Sequence, residues 1–184
     1  EKTIAGMLKC LQEQVYRNIE VLMISDGSDD LSLKICEDMA QKDSRFRFFA
    51  LPHGGVAAAR NFGLDHCLGE YVMFADADDL VCRQYVSRLY EVLRDTNARM
   101  VYCDSEYREE PSPVLMHHTG VRRHWRLKHI SSFDFTLLEA HNVVWGMLAE
   151  RSLTDRLRFS TEYQVSTDTL FFGQVLSLVP DAVR

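Results

Sequence analysis

Apolar residues recur at Ile4, Met7, Leu8 and Leu11. This three-four spacing predicts an opening helix, with Thr3 as its N-cap. Ile19 to Ile24 is a short apolar run broken only by Glu20 and closed by Ser25-Asp26-Gly27-Ser28. An apolar run that ends in a polar glycine turn predicts a buried strand. Leu31, Ile35 and Met39 share one helical face and predict a helix over about 29–41, capped by Ser28 or Asp29. The alternation repeats. Phe46 to Leu51 reads as a strand ending at Pro52-His53-Gly54-Gly55, and Val56 to Cys67 as an alanine-rich helix. Tyr71 to Ala75 reads as a strand ending at Asp76-Ala77-Asp78-Asp79, Gln84 to Asp95 as a helix, and Met100 to Cys103 as a strand. Strand, loop and helix in repetition predict an α/β fold, a mostly parallel sheet flanked by helices. Ligands of such sheets collect at the carboxyl ends of the strands, where both acid-bearing loops begin.

The pattern breaks after Asp104. Residues 105–130 hold Glu109-Glu110-Pro111-Ser112-Pro113, the adjacent His117 and His118, and a basic stretch. They predict a long loop or poorly ordered excursion. Regular structure resumes from Ser131: Phe133 to Leu138 reads as helical, Val143 to Ala149 as extended, and Thr167 to Leu178 as helical. The expected organisation is an α/β part over 1–104, the excursion 105–130, and a second part of the same domain over 131–184.

Composition narrows the partners. The 184 residues carry a formal net charge of -6, which argues against nucleic acid as a partner because phosphate backbones call for a basic face. No apolar run approaches the ~20 residues of a membrane span, and no secretory signal is evident. Five cysteines without a C-x-x-C point away from zinc and from a disulfide framework. They are expected to be buried small hydrophobes in a cytoplasmic protein.

Three clusters carry chemistry. Asp76, Asp78 and Asp79 crowd three carboxylates at the end of an apolar strand. Their mutual repulsion calls for a cation, and a divalent ion shared with a substrate phosphate fits; a capping cluster on a surface loop is the alternative. Asp26, at the tip of the first strand, can accept hydrogen bonds from a base or ribose, or can close an Asx-turn. His53-Gly54-Gly55 precedes a helix whose alanine face permits close packing. Arg60 follows that face, placed either to reach a phosphate or to lie exposed. Trp145 is read as an acceptor-stacking or a core tryptophan. Arg122 to Lys128 is read as a solvated loop or a contact for an anionic surface. His117, His118, His124 and His129 are poorly spaced for a metal.

The strings V-L-M-I-S-D-G-S-D-D (21–30), H-G-G-V-A-A-A-R-N-F-G-L (53–64) and G-E-Y-V-M-F-A-D-A-D-D (69–79) together resemble family 2 glycosyltransferases of the GT-A type, the kind found in bacterial polysaccharide synthesis. The three blocks stand in the family's order. Val144-Trp145-Gly146-Met147, Leu157-Arg158-Phe159 and Thr167-Asp168-Thr169-Leu170-Phe171-Phe172 look like its downstream part. The resemblance implies an inverting, metal-dependent transfer from a nucleoside-diphosphate sugar, UDP-linked, to an acceptor hydroxyl. It implies Asp26 at the base, Arg60 near the base or diphosphate, and Asp76 at the ribose or metal shell. Asp78 would be the ligand of Mn²⁺ or Mg²⁺, and Asp168 the general base. The implied acceptor is a glycan or lipid-linked molecule, handled in the cytoplasm or at the inner membrane face with peripheral membrane contact. The sequence departs from the family at Ser25 (usually Asp), His53 (usually Asn) and Thr167 (usually Glu), and the family's first apolar strand is expected to be missing. Two rivals are less well matched: a nucleotidyltransferase would show a Gly-rich basic loop, and an aspartyl-phosphate phosphohydrolase an early nucleophile. A non-catalytic nucleotide-sugar-binding domain is a third reading.

Overall fold

The computed structural model describes residues 3–103, 115–116, 129–130, 144–163, 167–179 and 182–183. The helices are α1 (Ile4–Gln12), α2 (Ser32–Lys42), α3 (Val56–His66), α4 (Tyr85–Thr96), the single turn α5 (Arg151–Thr154) and α6 (Thr167–Ser177). The strands are β1 (Val21–Asp26), β2 (Phe46–Leu51), β3 (Tyr71–Met73), β4 (Leu80–Val81), β5 (Met100–Tyr102), β6 (Leu115–Met116), β7 (His129–Ile130), β8 (Met147–Glu150) and β9 (Ala182–Val183).

β1 and β2 pair in parallel from Val21↔Phe46 to Asp26↔Leu51. A five-stranded sheet has the order β3-β8-β5-β9-β7, with β8 antiparallel to both β3 and β5. Helices cover both faces, because strand side chains alternate in direction. Met100, Tyr102, Met147 and Ala149 join Ala57 and Leu64 of α3 and Phe171, Phe172 and Val175 of α6 in one core. Val101 and Leu148, one residue out of phase, join Met7 of α1 and Tyr85, Leu89 and Leu93 of α4 in another. A smaller cluster of Leu8, Met23, Cys36 and Phe46 seats α1 and α2 on the β1–β2 pair.

The structure corrects several local expectations. The first strand begins at Val21 rather than Ile19, where pairing with β2 begins. Glu20 instead turns its carboxylate to the N–H groups of Leu68 and Gly69 and to Arg47. α2 begins at Ser32, whose N–H is taken by the Asp30 carboxylate rather than by Ser28 or Asp29. Thr3 stands at the N-cap of α1 without a side-chain capping bond. None of the five cysteines forms a disulfide; Cys36 is buried and the other four are half-buried. Within 105–130, Leu115–Met116 pairs with β4 and His129–Ile130 with β9. The rest of that segment, with His117, His118, His124, the basic stretch 122–128 and the helix read at Phe133–Leu138, lies outside the described residues.

Among the described residues β1 pairs only with β2, and β3 only with β8. A cavity of about 1060 Å³ opens onto both unpaired edges, lined by all of β1 and by Tyr71–Met73 of β3. Met7 and Leu8 of α1 and Gly63 and Leu64 of α3 also line it. The sheet is thus split by a slot with a helix layer on either side, and the slot ends at the carboxyl tips of β1 and β3.

Candidate functional site

The β1 and β2 loops meet through a glycine. Gly27 has φ +73°, and a Cβ there would lie 2.8 Å from the Cβ of His53, so any side chain would push the loops apart. Asp26 crosses this junction. Its Oδ1 accepts the Gly54 N–H at 2.6 Å, its Oδ2 accepts the Gly55 N–H at 2.9 Å, and the His53 Nδ1 stands 3.0 Å from Oδ2. The Gly54 bond is the largest influence holding the Asp26 carboxyl below its ordinary range; partial burial opposes it, and Gly55 and His53 add to it. The turn after β1 is closed instead by Ser25, whose Oγ accepts the Ser28 N–H at 3.3 Å. Asp26 is therefore a stitch between the loops that follow β1 and β2, not an Asx-turn residue.

β3 delivers the acidic loop. Asp76 accepts Arg60 Nη2 at 3.0 Å. The Asp79 carboxyl is pushed up to about 6 by burial, then by the charges of Asp76 and Asp78, and its Oδ2 is buried without a hydrogen-bond partner. Asp78 is exposed. Among the described residues no three His, Cys, Asp or Glu side chains converge on one metal position. A cation here would be held by one or two carboxylates and completed by ligand oxygens, the usual arrangement for Mg²⁺ with phosphates. The uncompensated negative charge around Asp78 and Asp79 fits such an ion.

Arg60 is not an exposed helix arginine. Its side chain is 12% exposed, and its two terminal nitrogens reach different elements: Nη2 to Asp76 after β3, and Nη1 to Asp168 in the first turn of α6. Asp26, Arg60 and Asp76 all line the far end of the slot, and Arg60 ties Asp168 to that end. Asp78 is adjacent in sequence but is not drawn into the Arg60 cluster. Trp145 is half-buried, bridges Phe74 and packs against the α1–α4 core, which favours its core reading.

Two residues, quoted only as parts of family-like blocks, were given no role by the sequence reading. Asn61 donates from Nδ2 to the Phe159 carbonyl at 2.9 Å and accepts the Phe159 N–H at 2.8 Å. Phe159 lies under the Arg60 guanidinium, 5.3 Å from its carbon to the ring centroid. Only the neighbouring Arg60 could have drawn attention to Asn61, and nothing local links either residue to position 159.

An α/β sheet covered on both faces, with acids and one arginine gathered at the strand tips, defines an α/β protein of the kind whose ligands collect at the carboxyl ends of the strands. The family model for glycosyl transferase family 2 matches residues 1–158, and the chain belongs to that family. It is 31% identical over 166 residues to the glycosyltransferase GlyA of Streptococcus pneumoniae, covering 82% of this chain and 23% of GlyA. It is 30% identical over 181 residues to the uncharacterized glycosyltransferase EpsJ of Bacillus subtilis, covering 93% of this chain and 51% of EpsJ. S. aureus TarS 1–349 in complex with UDP superposes with a TM-score of 0.81 at 18% identity, over 99% of this chain and 53% of TarS. The mannosyltransferase PcManGT of Pyrobaculum calidifontis, in complex with GDP-Man and Mn²⁺, superposes with a TM-score of 0.69 at 20% identity, over 99% of this chain and 50% of that one. The fold is of GT-A type. The chain spans about half the length of these relatives, or less.

Proposed function

We propose that the protein transfers a sugar, with inversion, from a UDP-sugar to an acceptor hydroxyl, assisted by Mn²⁺ or Mg²⁺. One observation carries this reading: Arg60 joins Asp76, in the loop after the edge strand β3, to Asp168 on a distant helix, at the end of a cavity that also reaches Asp26. Asp26, Arg60 and Asp76 form the nucleotide side, Asp78 holds the metal, and Asp168 is the general base. When bound, the metal acts as Lewis acid on the departing diphosphate. The Asp168 carboxylate takes the proton of the acceptor hydroxyl as its oxygen bonds to the anomeric carbon. The bond from that carbon to the diphosphate breaks on the opposite face, UDP leaves, and configuration inverts.

In this reading 1–104 is the nucleotide side and 131–184 the acceptor side, and Arg60–Asp168 is the link between them. The acceptor is a glycan or lipid-linked hydroxyl, and the basic residues 122–128 supply peripheral contact at the inner membrane face. No described helix is long and apolar enough to cross a membrane. The test is a thermal-shift panel of nucleoside diphosphates and their sugars with and without Mn²⁺, followed by UDP release from those sugars. Binding to the native state raises the melting temperature by mass action. Equal melting temperatures across the panel would reject the donor assignment. A shift without UDP release would support the non-catalytic reading.

Asp26→Ala is expected to weaken UDP binding by ~1–3 kcal/mol, the size of a charged hydrogen bond, and to narrow the gap between UDP and GDP. Calorimetry with both nucleotides checks this, and parental affinities for both would leave Asp26 as a loop stitch alone. The slot yields a second expectation. Joining an apolar strand of about six residues, the length of β1, ahead of α1 should raise stability and UDP affinity together. An edge flanked by helices on both sides gains both ladder bonds and apolar burial. A melting-temperature gain of roughly 5–10 °C corresponds to a few kcal/mol in a domain of this size. No gain in either quantity would show that the slot does not take a strand.

A further inference from the structure

The Arg60 fork rests on a built support. Phe159 is 2% exposed and stacks on Phe171 of α6 at 4.0 Å and 6°. Phe74, just after β3, meets it edge-on at 5.3 Å. Asn61 clamps the Phe159 backbone through both its N–H and its carbonyl, the pair of bonds a neighbouring strand would make. α3 therefore supplies the cation at position 60 and, one residue later, the amide that sets the ring beneath it. The ring in turn lies against the helix that carries Asp168.

A guanidinium is planar, and its donors leave in fixed directions. It can serve two carboxylates at once only when its plane is held, and an aromatic face holds it through stacking and cation–π attraction. The Arg60–Asp168 pair is largely buried, 12% and 21% exposed, while Asp76 is 37% exposed, so water competes less for the Asp168 bond than for the Asp76 bond. We propose that Phe159 and Asn61 are positioning residues, which orient Arg60 so that it holds the Asp168 carboxylate beside Asp76. The proposal rests on the reading of Asp168 as general base. It deepens that reading by making the geometry of the base depend on two residues that touch neither nucleotide nor acceptor.

Phe159→Leu keeps an apolar side chain but removes the flat face. The probe is UDP release from UDP-GlcNAc with Mn²⁺, water serving as acceptor, alongside UDP affinity by calorimetry. In the full chain Phe159→Leu is expected to lower kcat by about tenfold or more while the UDP Kd rises by a clearly smaller factor, because Arg60 serves the nucleotide side as well as the base. In an Asp168→Asn background the same change should lower kcat by less than about twofold, because residues that act as one unit are not additive. A full multiplicative loss in that background, or a Kd that rises in step with the loss of kcat, overturns the proposal.

Equilibrium unfolding reads the same device without turnover. Arg60→Met and Asp168→Asn should be coupled by about tenfold in the unfolding constant of the parent, and by less than about twofold once Phe159 is Leu. Coupling that survives Phe159→Leu overturns the proposal. If Asp168→Asn alone keeps normal turnover, the base assignment fails instead, and the unfolding cycle still decides whether Phe159 positions the pair.

Discussion

Asp168→Asn is expected to keep donor binding and to lose turnover by ~10²–10⁴, the usual contribution of a general base. Asp168 lies in the first turn of α6, where the helix dipole favours an anion. A capping role would be satisfied equally by Asn, which caps as well as Asp, and would leave turnover nearly unchanged. The carboxylate is turned across the domain to Arg60 of α3, and the neighbouring Thr167 hydroxyl donates to it at 3.4 Å. Asn in its place loses the charge that Arg60 faces and the capacity to take a proton. Asp155, another carboxylate of this part of the chain, sits beside Arg151 and lines a separate cavity with Arg99 and Ser152. UDP-sugar turnover with the acceptor, read beside UDP affinity, checks the expectation. Near-parental turnover would remove Asp168 from the mechanism.

The second large effect is expected at Asp78. Asp78→Asn should abolish the Mn²⁺-dependent part of UDP binding, leaving the fold and the metal-independent part intact. Asp76 is already paired with Arg60. The Asp79 carboxyl is pushed up to about 6 by burial and by its two neighbours. Asp78 is thus the exposed acid of the three and the one best placed to meet an ion carried in with a diphosphate. Removing its charge should also relieve part of the repulsion on Asp79, so the melting temperature of the metal-free variant should hold or rise. Calorimetry with UDP, with and without Mn²⁺, checks the result. A metal increment equal to the parent's would move the cation site away from the loop.

Much of the architecture was legible before any coordinates. The strand and helix periods of 1–103 placed nearly every element to within two or three residues, because an apolar run closed by a glycine turn has few other folded solutions. The two-residue strands β4, β6, β7 and β9 were not legible. They are too short to show a period and exist through partners far away in the chain. The slot between β1 and β3, lined by α1 and α3, is a property of packing that no single stretch of sequence records.

The same division runs through the site. Asp26, Asp76 and Asp78 stood out in the sequence as acids at strand ends, which are costly unless they have a task; Arg60 stood out on the alanine-rich helix behind a glycine pair, and Asp168 through the resemblance to the family. Sequence by itself determined the α/β alternation, the strand tips that bear the acids, and the family to which the three blocks belong. Only the tertiary structure decided that Asp26 stitches two loops, that Arg60 is shared by Asp76 and Asp168 across 16 and 108 residues of chain, and that Phe159 is the surface on which it is shared. Local periodicity reports which face of an element is apolar. The partner met by a polar side chain is set by which distant segments the core draws together, and no spacing within one element records that.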